Sequence, residues 1–335
     1  MLAWPQRFKF EAHTIKSEAP EMKAVRFHEY GDPDVLRHED VDEPVPGAGQ
    51  VRVRVAATTF NGVDGNIRAG FMQGPMPVTL PHILGVDVAG TIDALGEGVS
   101  GLAVGDEVIG FLPFTVDGAA AEYVLAPAES LAPAPTSIPL SDAAALPVVG
   151  LTAWQALFEH AELKPGHRIL ISGAGGAVGG YAVQLAKAAG AHVIATASPR
   201  SSGHVTAAGA DEVIDHTTTE VTTTVTEPVD VLLNLAPIDP ARFTALAALV
   251  RDGGVVVSTT VWMPAPADEG RGVRAIDLFV RSDAAQLSEL VARVDRGELT
   301  VDVADRVPLA ELASVHARAA AGILPGKVVI LATSV

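Results

Sequence analysis

Polar and apolar residues alternate along Gln50-Val51-Arg52-Val53-Arg54-Val55, the period of a strand with one face in water. Met22–Phe27, Asp106–Phe111 and Ala121–Val124 predict further short strands, with turns at Pro46-Gly47, Gly96-Glu97-Gly98 and Gly105-Asp106. This rhythm predicts a compact, mostly antiparallel unit over residues 22–147. From residue 148 the rhythm changes. Ile169–Ser172, His192–Ala197, Glu212–Asp215, Val229–Asn234, Gly254–Thr259 and Val273–Leu278 are apolar almost throughout, and helical segments separate them. Such strands imply a parallel sheet covered on both faces, hence an α/β chain with a doubly wound unit over residues 148–282. In that architecture the ligand crevice lies at the carboxyl ends of the strands. The tail, 283–335, predicts helices at Gln286–Gly297 and near Leu309–Ala321 and a closing strand Lys327–Leu331, expected to complete the first unit. Residues 1–21 read as an extension, and Thr217–Thr226 as a loop or frayed helix without function.

The strand Ile169–Ser172 runs into Gly173-Ala174-Gly175-Gly176-Ala177-Val178-Gly179, and Tyr181–Lys187 follows with helical periodicity. Strand, glycine-rich turn and helix, in that order, form the context in which Ala174-x-Gly176-x-x-Gly179 signals dinucleotide binding. The overlapping Gly173-x-Gly175 leaves the register open by one residue. Small residues let the backbone approach a pyrophosphate, whose charge sits against the helix N-terminus.

Composition narrows the possibilities. Length 335 predicts two domains, and 48% hydrophobic with 19% charged residues is a globular balance. A net charge of −17 argues against nucleic acid and anionic membranes as partners. The chain has no cysteine, so disulfides, thiolate nucleophiles and cysteine-bound metals are excluded. Neither a signal peptide nor an apolar run approaching ~18 residues is found, which predicts a cytoplasmic protein.

The order of parts adds a family. Tyr30-Gly31-Asp32-Pro33, Asn61-x-x-Asp64, Gly85-Val86-Asp87-Val88-Ala89-Gly90, Gly105-Asp106-Glu107-Val108, Ala145-Leu146-Pro147, Gly150-Leu151-Thr152-Ala153, the glycine turn and Gly326-Lys327-Val328-Val329 follow one another. From Met22 onward the chain resembles the medium-chain dehydrogenase/reductase superfamily, in its zinc-independent quinone oxidoreductase, zeta-crystallin-like branch. The resemblance implies a GroES-like β-rich catalytic domain, a Rossmann domain and a homodimer. Zinc-dependent relatives carry a cysteine early in the chain and a histidine in Gly-His-Glu; here the segments read Phe60-Asn61-Gly62-Val63-Asp64 and Gly85-Val86-Asp87. No metal is therefore expected, and His82 and His160 are read as surface or helix-end residues.

NAD enzymes of this architecture place a carboxylate about 20 residues past the glycines. Here that stretch reads Thr196-Ala197-Ser198-Pro199-Arg200, with hydroxyls and a guanidinium suited to a 2′-phosphate, so the expected cofactor is NADPH. Cofactor contacts are expected from Ala174, Gly176, Ala177, Val178, Gly179, Thr196, Ser198 and Arg200. By the resemblance they extend to Thr152, His216, Asn234, Phe279, Val280 and Lys327, with His216 beside the adenosine phosphate and Lys327 either near a phosphate or capping a strand. Asn61 is the candidate catalytic residue, its amide donating to the substrate oxygen or the nicotinamide ribose. Asp64, Arg68 and Asp87 are expected to hold its loop, where Gly62 replaces the family's proline. Without a metal the expected reaction is hydride transfer to a quinone or other α,β-unsaturated carbonyl. An enoyl thioester or alkenal reductase, and a weakly catalytic NADPH-binding protein, are the alternatives.

Overall fold

The computed structural model describes residues 20–260 and 262–332. The extension assigned to 1–21 therefore falls almost wholly outside the described residues, and the first strand opens at Glu21. Three sheets organise the chain. Leu36–Asp42, Glu21–Phe27 and His82–Ile83 form a small antiparallel one.

A second sheet runs in the order Asp305–Pro308, Val328–Leu331, Gln50–Thr59, Asp87–Leu95, Glu107–Phe111 and Leu131–Pro133, with Tyr123–Pro127 also paired to Gln50–Thr59. Alternation along Gln50–Thr59 buries Val51, Val53 and Val55 against Val88, Ile92 and Val124. The tail strands join this sheet, and they pair with each other in parallel, an exception to the antiparallel pattern.

The third sheet is parallel, in the order Glu212–Asp215, His192–Ala197, Arg168–Ser172, Val229–Asn234, Val250–Ser258 and Arg274–Asp277. Its apolar strands serve two cores. Ile169, Ile171, Val193, Ala195, Val231 and Leu233 face one side, while Leu170, Ile194, Leu232 and Val256 face the other. Period-2 strands with both faces buried give continuous apolar runs, which is why these segments lack alternation. A strand order that reverses between Arg168–Ser172 and Val229–Asn234 opens a crevice at the carboxyl ends. No helix among the described residues is long and apolar enough to cross a membrane.

Candidate active site and cofactor crevice

In the second sheet, Gln50–Thr59 ends where the antiparallel Asp87–Leu95 and Val328–Leu331 begin. Antiparallel pairing thus brings Thr59, Asp87 and Lys327 to one end of the sheet. Asn61 follows two residues after Thr59, and Phe111 lies opposite Asp87.

Asp87 is fully buried. Its Oδ2 accepts from Asn61 Nδ2 at 2.8 Å, from Lys327 Nζ at 3.1 Å and from the Thr59 hydroxyl. Its Oδ1 accepts from the Val148 N–H at 2.8 Å, in the first turn of the Pro147–Trp154 helix. A helix N-terminus favours a carboxylate there. Lys327 also donates to Asn61 Oδ1 at 2.7 Å. Only the amide oxygen accepts from an ammonium, so the Asn61 nitrogen must face Asp87.

Lys327 lies in this cluster, one residue before the tail strand Val328–Leu331 of the second sheet. Asn61 is 92% enclosed, and its amide hydrogens already point at Asp87 and, at 3.4 Å, at Thr59 Oγ1. That longer bond is the weaker of the two.

Asp64 fixes the loop from below. Its Oδ2 accepts from the Asn61 N–H at 2.8 Å, closing a capping box on the Gly62–Arg68 helix, and its Oδ1 accepts from the Gly85 N–H at 3.2 Å. The box supplies the constraint that proline would have given. Burial pushes the Asp64 carboxyl up to about 7, against the pull of those two N–H groups. Nearby, Arg68 Nε donates to His316 Nδ1 at 3.3 Å, and Arg68 also donates to the Gly31 carbonyl. Burial, then the Arg68 charge, pushes His316 down to about 3. Its Nε2 has no partner among the described residues.

The donor set at this position does not suit zinc. The chain has no cysteine, and the Asp87 oxygens are engaged by four donors, one of them an ammonium. Among the described residues no three His, Asp or Glu side chains gather for a metal. His82 departs from the surface reading: it is buried edge-on to Phe27, with Nδ1 3.4 Å from Asp117. His160 closes a π-helical stretch, Gln155–His160.

The crevice is built differently. Gly173 takes φ +84°, a conformation that disfavours any side chain, and its carbonyl accepts from the Gly176 N–H at 3.2 Å. Gly176 caps the Ala177–Ala188 helix. A Cβ at Gly179 would collide with the Ala174 backbone, so strand and helix meet too closely for anything larger. Ala177 and Val178 lie in the first helical turn, where backbone N–H groups have no helical partner. These features fit a dinucleotide pyrophosphate.

Thr196 is turned inward. Its hydroxyl accepts from the Gly173 N–H at 3.0 Å and its carbonyl from the Ala174 N–H at 3.1 Å, so it braces the turn. Ser198 follows the strand end, where no carboxylate stands, and its hydroxyl lies 3.4 Å from that of Ser201. Ser201, absent from the expected set, packs over Gly175. Arg200 is exposed and makes no hydrogen bond or ion pair among the described residues. The His216 backbone N–H donates to the Ala197 carbonyl at 3.2 Å, which sets this residue beside Ser198. Arg242, a second cation missed by pattern, reaches the His216 carbonyl at 3.4 Å across a surface hollow of about 600 Å³.

Asn234 ends its strand fully buried, with Nδ2 3.4 Å from Thr260 Oγ1 and Oδ1 unpartnered among the described residues. Thr152 donates to the Val148 carbonyl four residues earlier, at 2.6 Å. Phe279 projects into solvent just past the Arg274–Asp277 strand, and Val280 packs on the larger core.

Comparison with known proteins agrees with this architecture. Residues 47–136 match the family model for the alcohol dehydrogenase GroES-like domain, and residues 208–330 match that for zinc-binding dehydrogenase. A chloroplast envelope quinone oxidoreductase homolog of Arabidopsis thaliana is 32% identical over 324 residues, covering 92% of this chain and 98% of that protein. A chloroplastic quinone-oxidoreductase homolog of Spinacia oleracea is 39% identical over 205 residues, 59% of this chain; the match spans 62% of the spinach protein's length. The quinone oxidoreductase structure from Coxiella burnetii superposes with TM-score 0.86 at 30% identity, over 93% of this chain and 99% of that one.

An antiparallel-rich sheet and a parallel sheet of this order, with a crevice at the rim of the parallel one, make up the two-unit architecture on which these similarities fall. The chain belongs to the medium-chain dehydrogenase/reductase superfamily, in its quinone oxidoreductase branch.

Proposed function

We propose that the protein is an NADPH-dependent reductase that delivers a hydride to a quinone or other α,β-unsaturated carbonyl without zinc. The observation that carries this is the Lys327–Asp87–Asn61 cluster, where an ammonium and an amide stand in place of metal-binding side chains. Among the described residues these side chains offer hydrogen bonds and gather no ligand set for a metal. A conjugated acceptor needs only a hydrogen-bond donor for its developing oxyanion.

When bound, the reduced nicotinamide supplies two electrons as a hydride. A quinone that takes this hydride becomes the hydroquinone monoanion, and one proton from water completes the hydroquinone. Asn61 is the donor to the acceptor oxygen, through the hydrogen of Nδ2 turned toward Thr59 Oγ1, an N···O distance of 3.4 Å. Lys327 and Asp87 keep that amide oriented. The glycine turn and the Ala177–Ala188 helix end hold the pyrophosphate. Ser198, Ser201 and Arg200 meet the 2′-phosphate, with His216 and Arg242 at its flank. The working division is a catalytic unit of 22–147 with 283–335, and a cofactor unit of 148–282.

The test is reduced-nicotinamide oxidation, followed by absorbance with NADPH or NADH and a panel of ortho- and para-quinones, alkenals and acyl thioesters. The expected result is quinone-dependent oxidation that favours NADPH and survives exhaustive chelation. Turnover with thioesters alone, or turnover that needs added zinc, overturns the proposal.

A further inference from the structure

Three aromatic rings form a ladder from one sheet to the other. Phe111 and Phe114 have centroids 5.1 Å apart at 76°, and Phe114 and Phe279 lie 5.7 Å apart at 59°. Exposure rises along it: Phe111 is buried, Phe114 half-buried, and Phe279 58% exposed. The inner end touches the active-site cluster, because Phe111 is the strand partner of Asp87. The outer end reaches the rim of the parallel sheet, where the Leu278 N–H donates to the Ser258 carbonyl at 2.8 Å. Asn234 ends the neighbouring strand. The ladder thus spans the gap between the acceptor-side polar cluster and the cofactor-side strand ends.

A single exposed apolar side chain needs no explanation. Phe279 differs because the chain on either side of it is clamped, at Leu278 and at Arg281. Gln155, 99% enclosed, donates Nε2 to the Arg281 carbonyl at 2.9 Å and accepts the Arg281 N–H at 3.1 Å on Oε1. One amide satisfies both backbone groups, as a neighbouring strand would. Arg281 is further tied to Glu159 and Asp283, each at 2.6 Å. Gln155 and Glu159 both lie in the Gln155–His160 π-helix, a rare element that often marks functional sites. The fold holds a ring half in water on a rigid support beside the reaction site.

We propose that Phe114 and Phe279 form an aromatic shelf on which a flat acceptor ring stacks, and that Phe279 is a specificity-determining residue favouring polycyclic quinones over small aliphatic enones. This rests on the reductase assignment above. Offset and edge-to-face stacking reward a planar ring and offer an aliphatic enone much less. Gln155 acts as a positioning residue by fixing the segment that carries Phe279.

The test compares wild type, Phe279→Ala, Phe279→Trp and Phe114→Leu with phenanthrenequinone and methyl vinyl ketone as acceptors. Phe279→Ala should lower the quinone-to-enone ratio of kcat/KM by about 10-fold, mainly through KM for the quinone, and Phe279→Trp should restore it. Phe114→Leu should shift the ratio the same way. An unchanged ratio, whether from equal losses on both acceptors or from no loss, overturns the shelf. Quinone affinity is read separately from quenching of tryptophan fluorescence, which needs no turnover. If wild type binds phenanthrenequinone but reduces no quinone, the reductase assignment fails. In that case weaker quenching in Phe279→Ala still supports the shelf, and equal quenching refutes it.

Discussion

The polar cluster under Asn61 and the glycine crevice are the two places where this chain gathers unusual residues, and they are opposites. In the cluster, charged side chains bond to one another and to backbone, and water is excluded. In the crevice, small residues expose helix-end N–H groups, Asn234 Oδ1 has no donor among the described residues, and Arg200 is exposed. A region that satisfies its own groups serves as a frame. One that leaves them free is shaped for a guest.

The largest effect should come from breaking the frame. Lys327→Met leaves Asp87 buried without its counter-charge, and denaturant unfolding should show a loss of about 3–5 kcal/mol. Adding Asp87→Asn to that variant should recover part of it; a double variant as unstable as the sum would blur the contrast drawn here. In the crevice, Gly179→Ala forces a Cβ into the Ala174 backbone, with about 1–3 kcal/mol of destabilisation and weaker cofactor binding by calorimetry.

A subtler effect lies behind the frame, where two buried groups titrate in opposite senses. Asp64, raised from 3.8 to about 7, holds a proton in the folded state that the unfolded chain releases. Its contribution is full below pH 3.8 and is lost as pH rises to about 7. His316, lowered from 6.5 to about 3, stays neutral when folded, so its contribution is full above pH 6.5 and is lost as pH falls toward 3. Between pH 4 and 6.5 the two slopes oppose each other. His316→Leu should unmask a stability that falls by about 1 kcal/mol per pH unit on going up through that window, and Asp64→Asn the reverse slope. Equal pH profiles for both variants would contradict the opposition. The smallest effect is expected at the exposed rim: Arg200→Ala should weaken NADPH over NADH by about fivefold in binding titrations.

The elements were largely legible in the chain. His192–Ala197 and Val229–Asn234 fall where apolar runs predict them, since burial on both faces leaves little room for ambiguity; the edge strand Glu212–Asp215, with Ile214 alone buried, also falls where expected. The site was legible only in part. Asn61 stands in the cleft-side loop, but its partners lie 26 and 266 positions away, and no local pattern reveals which donor meets which acceptor. A usable signal was present: Asp87 and Lys327 are charges set at the head of apolar runs, and a charge drawn into a core needs a partner. Thr196 shows the opposite difficulty, because spacing placed a hydroxyl near the cofactor and only the folded turn shows it bonded to Gly173. Ser201 and Gln155 carried no motif at all; each acquires its place from a segment packed against it.

The distance along the chain between Asp87 and Lys327 has one more consequence. A ribosome must add 240 residues after Asp87 before that carboxylate can acquire its ammonium neighbour. Any product truncated upstream of that lysine would enclose a lone anion, and such chains should be the first that cellular proteases remove.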